Sequence, residues 1–166
     1  MIDNISWLSI YPEIVLFIMG CVITLVDLGV KSARRTGTYA LTMLTLLVVA
    51  IMQANYALSG NTFYGWGNMV VSDAMGNWLK CFATVAMMVT LVYARPYSAD
   101  RGMLRGGELF SLSIFALLGM FIMISANNLL LIYLGLELLT LSSYALVALR
   151  RDHTLATEAA MKYFVL

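Results

Sequence analysis

The sequence predicts an all-α polytopic membrane protein, that is, a bundle of helices that each cross the bilayer. Of its 166 residues, 61% are hydrophobic and only 11% are charged, and the mean hydropathy is +0.87. Soluble domains average about 45–50% apolar and about 25% charged residues. A water-soluble globule of this size could not bury so much apolar surface. The apolar runs are continuous and do not alternate with period two, which favours helices over barrel strands.

Five apolar runs are long enough to cross a bilayer, which takes about 20 residues in a helix. The predicted spans, within a single membrane domain, cover residues 7–28, 39–58, 74–93, 109–126 and 129–149. The stretch from Ser59 to Asp73 contains glycine, asparagine and tryptophan and is expected to be an extramembrane loop. Pro96 is expected in the loop after the third span.

A sixth apolar run starts near residue 156 and reaches Leu166 after too few residues to cross a bilayer. We therefore expect the chain to be the front part of a longer protein. A re-entrant or surface helix is the alternative interpretation of this run.

The basic residues predict the orientation of the bundle. Eight of the ten lysines and arginines lie in the connections after spans one, three and five. Loops with an excess of such residues stay in the cytoplasm or matrix. The N-terminus is therefore expected on the opposite, periplasmic side. The same alternation supports the number of spans, because a missed or extra helix would scramble it.

Glu137 is the most informative residue, because it lies near the middle of the fifth span. A charged group at that depth costs about 2.5–3.5 kcal/mol on insertion scales and is usually kept for function. Tyr133, Thr140 and Tyr144 share its helix face, which places hydroxyl groups beside the carboxyl. We predict that Glu137 binds and releases a proton. The alternative is a carboxyl that only hydrogen-bonds a neighbouring helix.

Other charged residues fall within or near the spans. Lys162 lies in the incomplete sixth run, where a functional role and snorkelling to the interface both remain open. Lys80 is expected to snorkel to the membrane surface. Glu13 and Asp27 lie within two turns of the ends of span one, where solvation or helix capping is expected, and Glu13 beside Pro12 also suits the positive end of the helix dipole.

Several classes of chemistry have no residues here to support them. The sequence contains no glycine-rich phosphate loop, no cysteine cluster for iron–sulfur, and no spaced histidine pair for haem. No cofactor or metal is therefore expected in this chain, and any redox centre must lie in partners. No basic run could neutralise several phosphates, which argues against nucleic acid.

Two blocks of sequence then identify a family. The first block lies in span five and reads Leu134-Gly-Leu-Glu-Leu138. The second lies in the sixth apolar run, after a short loop, and reads Lys162-Tyr-Phe-Val-Leu166. Together they resemble the antiporter-like membrane subunits of respiratory complex I, the proton-pumping NADH:quinone oxidoreductase. The opening Tyr11-Pro-Glu-Ile14 and the segment Val71-Ser-Asp-Ala74 are similar to this family too. The resemblance covers nearly the whole chain.

The resemblance implies a fold and a site. Family members have about fourteen helices, including two inverted five-helix repeats with discontinuous helices, and this chain would be the N-terminal part. Glu137 matches the family's fifth-helix glutamate, which pairs with a lysine on a later helix and takes part in proton translocation. Lys162 matches a sixth-helix lysine found in the family. The family's later lysines are absent from these 166 residues.

The resemblance also implies a non-redox subunit of a proton-translocating enzyme, with no catalysis by this chain alone. Flavin, iron–sulfur and quinone would belong to partner subunits, and the chain would contact other membrane subunits and lipid. The expected location is the bacterial inner (plasma) membrane, with the mitochondrial inner membrane as the alternative. A subunit of a cation/proton antiporter or membrane-bound hydrogenase is the second hypothesis, and a structural scaffold is the third.

Overall fold

The computed structural model describes residues 7–30, 35–101, 107–150 and 153–165. Within these ranges, five helices are long and apolar enough to cross a bilayer, and a shorter sixth follows them. This confirms the predicted fold class of an all-α membrane bundle. The helices are α1 (Tyr11–Gly29), α2 (Thr36–Ser59), α3 (Ala74–Asp100), α4 (Glu108–Ser125), α5 (Leu129–Val147) and α6 (Thr154–Val165).

Hydrogen bonds between helix ends define two ends of the bundle. At one end, called the basic end because it includes Arg35, α1 finishes beside the starts of α2 and α4. At the hairpin end, named for the short sheet described below, the starts of α1 and α3 meet the end of α4. The first four helices therefore alternate in direction along the chain.

An apolar core lies between α1, α2, α3 and α4. The helix α4 is the most buried of the five long helices, and it contacts α1, α3 and α5. In contrast, Gly135 and Ser142 are the only buried residues of α5, whose outer face is rich in leucine. That face is suited to lipid or to other protein. The core side chains are Leu16, Ile23, Leu46, Val49, Leu91, Phe110, Ile114, Leu117, Leu118 and Phe121.

The helix α3 is longer than the sequence predicts, and the prediction that Pro96 lies in a loop is wrong. The helix continues through Pro96 to Asp100. A proline inside a helix removes one backbone hydrogen bond. Contacts of the preceding residue with α2 offset this loss: the Arg95 guanidinium lies 4.3 Å from the centre of the Tyr39 ring, and its Nη2 donates to Thr36 Oγ1 at 3.0 Å.

The predicted loop between α2 and α3 contains a β-hairpin that the sequence reasoning missed. Strands β1 (Phe63–Gly65) and β2 (Val70–Ser72) pair antiparallel, and Trp66, Gly67 and Asn68 between them have positive φ. Aromatic and β-branched residues on both sides of a Gly-Asn turn are the signal that could have identified it. The hairpin contacts the end of α4, where the Asn127 amide donates to the Met69 carbonyl at 2.9 Å.

Candidate functional site

Glu137 is the ninth residue of α5, so a rise of about 1.5 Å per residue places it near the middle of the bilayer. The Tyr133 side chain, one turn earlier, interacts electrostatically with its carboxylate. Thr140 instead donates its hydroxyl to the backbone carbonyl of Glu137 at 3.1 Å. Of the hydroxyl face predicted from the sequence, Tyr133 is thus the member that interacts with the carboxylate.

Tyr144, the third member of that face, contacts the last helix. Its ring packs edge-on against Tyr163 and Phe164 of α6, with ring centres 5.4 and 5.2 Å away. Aromatic pairs of this geometry stabilise helix contacts beyond simple burial. Tyr144 therefore connects the helix of Glu137 to the helix of Lys162.

Lys162 is exposed and forms an ion pair on its own helix. Its Nζ lies 2.7 Å from Glu158 Oε1, and the two side chains are 69% and 60% exposed. This is an ordinary pair at a spacing of four residues, which contributes little to stability when solvated. The structure therefore places Lys162 beside Glu158, and the ring contacts of Tyr144 place its helix next to α5.

Backbone contact between two glycines fixes the position of α5. A Cβ atom added to Gly119 of α4 would lie 2.8 Å from the Gly135 carbonyl oxygen. A Cβ atom added to Gly135 would lie 2.7 Å from Met123 Cγ and 2.9 Å from the Gly119 carbonyl oxygen. Glu137 is two residues from this contact, so the approach of the two helices determines both its depth and its direction.

Lys80 and Glu13 form a buried ion pair. The predictions that Lys80 snorkels to the membrane surface and that Glu13 is solvated or caps a helix are therefore wrong. Lys80 is 1% exposed and Glu13 is 7% exposed. The Lys80 Nζ lies 2.5 Å from Glu13 Oε1, which also accepts a hydrogen bond from Ser125 Oγ at 2.9 Å. Snorkelling is prevented because α4 covers the lysine, whose Nζ lies 5.8 Å from the centre of the Phe121 ring.

A signal for this pair was present in the sequence. Lys80 shares a helix face with Asn77 and Thr84, at spacings of three and four residues, and all three are buried. Glu13 is the third residue of α1 and Lys80 the seventh of α3, so both enter from the same end of the bundle. An acid and a base at similar depth from one membrane face are candidates for pairing.

Asp27 is not solvated, although the expected capping role is present in another form. Its carboxylate accepts hydrogen bonds from the Gly107 amide at 2.6 Å, the Thr38 hydroxyl at 2.9 Å and the Arg35 guanidinium at 3.1 Å. Asp27 thus satisfies donors at the starts of α2 and α4 while sitting near the end of α1. Its role joins three helices at the basic end.

Sequence comparison places these residues in a known context. Residues 126–166, which include Glu137 and Lys162, match the family described as NADH:quinone oxidoreductase/Mrp antiporter, TM. A protein of Polaromonas naphthalenivorans is 70% identical over 100% of this chain and 33% of its own length. One of Herminiimonas arsenicoxydans is 49% identical over 99% of this chain and 34% of its own length. Both are named NADH-quinone oxidoreductase subunit N.

Along nearly its whole length, the chain is similar in sequence to these two proteins. Its fold agrees, because one chain of respiratory complex I from Thermus thermophilus with bound aureothin superposes with a TM-score of 0.68 at 25% identity. That match covers 93% of this chain and 32% of the other. The chain spans about a third of the length of the subunit N relatives that it matches.

Proposed function

We propose that this chain forms part of the membrane arm of a proton-translocating NADH:quinone oxidoreductase, where Glu137 carries protons. The observation that carries the proposal is a carboxylate in the middle of a membrane-spanning helix, one turn from the Tyr133 hydroxyl, inside the segment that matches the family. The identity to subunit N relatives along the whole chain supports it. Flavin, iron–sulfur and quinone would be held by partner subunits, and this chain would contribute no redox chemistry.

The geometry supports a simple sequence of proton steps. A carboxylate at this depth is stable only when it is hydrogen-bonded, hydrated or paired with a cation. A proton arriving through water neutralises the carboxylate of Glu137, and its return to water restores the charge. Lys162, on the helix joined to α5 through Tyr144, is the second proton-handling residue in this proposal. A nearby ammonium would favour release of the proton from Glu137.

The proposed location is the bacterial inner membrane, with the N-terminus in the periplasm. The clustering of eight basic residues in three alternate connections supports this orientation. Other membrane subunits of the complex would cover part of the apolar outer surface, and lipid would cover the rest.

Replacement of Glu137 by glutamine in the full-length subunit tests the proposal. The amide is nearly the same size as the carboxyl group, so the complex should assemble and oxidise NADH. The number of protons translocated per electron, measured in closed membrane vesicles, should fall, because an amide cannot carry the proton. Asp100→Asn is the matched control, since Asp100 is exposed beyond the apolar part of α3. An unchanged ratio in the Glu137→Gln vesicles would contradict the proposal.

The family description names Mrp antiporters as well, and this supports a second candidate function, cation/proton exchange. The two functions differ in the subunits that would copurify with the chain and in the ion that is exchanged for protons. Purification with a flavin and iron–sulfur arm favours the oxidoreductase, whereas sodium-dependent proton exchange without such an arm favours the antiporter. A scaffold role predicts that Glu137→Leu retains full proton translocation.

A further inference from the structure

The buried ion pair of Glu13 and Lys80 has no part in the function proposed above. Three helices contribute to it: Glu13 comes from α1, Lys80 from α3 and the Ser125 hydroxyl from α4. Burying two charges costs several kcal/mol per ion before their attraction is counted, so such a pair is weak support for stability. In membrane proteins, buried ionisable groups commonly mark ion or proton pathways.

The two oxygens of the Glu13 carboxylate have different surroundings. Oε1 accepts hydrogen bonds from both Lys80 and Ser125. Oε2 is buried and has no hydrogen-bond partner among the residues that the structure describes. An ionised oxygen left without a donor is unfavourable, so it is the atom to which a water molecule or a proton would bind.

We propose that the Glu13–Lys80 pair is a second proton-exchanging site of this chain. A proton from water binds Glu13 Oε2 and gives a neutral carboxylic acid beside the Lys80 ammonium. When the O–H bond breaks, the proton returns to water and the ion pair is restored. The inference rests on the proposed function, because it assigns a second carrier to the same proton-translocating subunit.

A cavity provides space for water next to the pair. It has a volume of about 470 Å³ and is bordered by Glu13, Ser125 and, from the hairpin, Trp66, Met69 and Val70. A water molecule occupies about 30 Å³ in the liquid. The cavity surface is almost entirely apolar, and Glu13 and Ser125 are the polar residues on its border, so any water next to the pair would bind at that edge. Since the hairpin forms one wall, exchange would occur with the water on the side of the membrane that the hairpin faces.

The pair lies closer to the hairpin end than Glu137 does, and the two sites adjoin different sides of α4. The Lys80 Nζ is next to the ring of Phe121, while Gly119 and Met123, two residues to either side in the sequence, contact Gly135 of α5. Charges separated by one helix still interact appreciably in a medium of low dielectric constant. Protonation of Glu13 should therefore depend on the charge of Glu137, which would couple the two sites.

The other titratable groups around Glu13 come from each neighbouring element. Tyr56 of α2 interacts electrostatically with Glu13 and with Tyr11 of α1. Lys80 of α3 is its ion-pair partner, and Ser125 is its contact on α4. The titratable residues of α5 are Tyr133, Glu137 and Tyr144, and at the hairpin Asp73 accepts a hydrogen bond from the Gly76 amide of α3. Lys80 is the only cation in this set of described residues, and it is in direct contact with Glu13.

The double variant Glu13→Gln with Lys80→Met separates a proton carrier from a structural pair. It removes both charges and keeps similar side-chain volumes. When an ion pair serves stability alone, replacing both members is often neutral or stabilising. The proposal instead predicts that the complex assembles and oxidises NADH, that protons translocated per electron fall, and that an infrared band of a protonated carboxyl disappears. Thr90→Ala, which removes an exposed hydroxyl from α3, is the control.

Ser125→Ala keeps the ion pair, and it is the second test of proton exchange at Glu13 if the double variant fails to assemble. Loss of the hydroxyl removes a hydrogen bond to the carboxylate, so the frequency of the infrared carboxyl band should change. A structural role predicts that this site contributes no protonated-carboxyl band, so none would change. Thr90→Ala should leave the band unchanged.

Glu137→Gln in the same vesicles keeps the two proposals apart. One outcome overturns the second site and leaves the proposed function standing. In it, Glu137→Gln lowers the number of protons translocated per electron, whereas the double variant changes neither that number nor the infrared band. If Glu137→Gln has no effect, the proposed function fails, and a band lost on Glu13→Gln with Lys80→Met still supports proton exchange at Glu13. If every variant keeps the wild-type band, the inference is wrong.

Discussion

Asp27 is a single carboxylate that joins three helix ends at the basic end of the bundle. Its oxygens accept hydrogen bonds from Gly107, Thr38 and Arg35. Two of these donors belong to helix starts whose backbone or side-chain groups would otherwise need water. The arrangement stabilises the packing of α1 against α2 and α4 without contacting Glu137.

Asp27→Ala should therefore lower stability more than it affects any proton step. Hydrogen bonds to charged groups contribute about 1.5–3 kcal/mol each, so we expect a loss of roughly 3 kcal/mol in the free energy of unfolding. Denaturant unfolding of the detergent-solubilised protein measures this. Asp100→Ala, at an exposed position, should change stability by no more than about 0.5 kcal/mol. Equal effects of the two substitutions would show that the Asp27 contacts contribute nothing.

At the same scale, the sequence identified Glu137 and Tyr133 together because they lie four residues apart on one helix. Helix geometry alone brings such residues together. The partner of Lys80 is 67 residues away in the chain, and no local pattern points to it. The role of Glu137 in proton transfer stays a prediction until Glu137→Gln is measured.

At the scale of elements, the contact between α4 and α5 determines where Glu137 points. The helices approach so closely at Gly119 and Gly135 that a methyl group on either would meet backbone atoms of the other helix within 3 Å. Backbone atoms cannot move aside as a flexible side chain can. Even alanine, the best helix former, is therefore excluded at these two positions by the neighbouring helix.

Gly135→Ala should destabilise the bundle and displace Glu137. Overpacking costs about 1–3 kcal/mol, which exceeds the gain of at most about 1 kcal/mol from replacing glycine in a helix. The melting temperature of the purified protein should fall. Gly37→Ala is the matched control, because nothing lies within 4 Å of its added Cβ and its helical backbone suits alanine. The control should leave the melting temperature unchanged or raise it, and a rise in both variants would contradict the steric explanation.

The end of α3 shows how a contact between elements overrides a local signal. Proline after Arg95 predicts a helix end from local rules. The helix continues because Arg95 is held over the Tyr39 ring and bonded to Thr36. Both partners belong to α2, and they meet Arg95 only after the two helices have packed.

At the scale of the whole molecule, the alternation of basic connections predicts one orientation in the membrane. The structure places the hairpin and the starts of α2 and α4, which follow two of the basic connections in the sequence, at opposite ends of the bundle, as the alternation requires. Asn61, before the hairpin, and Asp100, at the end of α3, are exposed at these two ends. They are therefore suitable positions for testing orientation.

Single cysteines at Asn61 and Asp100, in a chain whose Cys21 and Cys81 are replaced by alanine, test this orientation. A membrane-impermeant maleimide should label Asn61→Cys in intact cells, because the hairpin end faces the periplasm in our proposal. Asp100→Cys should react only in inverted vesicles. The reverse labelling pattern would show that the bundle is inserted the other way.

The sequence by itself determined the membrane environment, the all-α class and the presence of a midspan carboxyl. These depend on local properties, namely hydropathy over about 20 residues and the period of a helix. The tertiary structure decided that α3 runs through Pro96, that a hairpin covers one end, and that Glu13 and Lys80 pair in the core. Those features depend on which helix faces pack against each other, and that packing is determined by contacts between residues far apart in the chain.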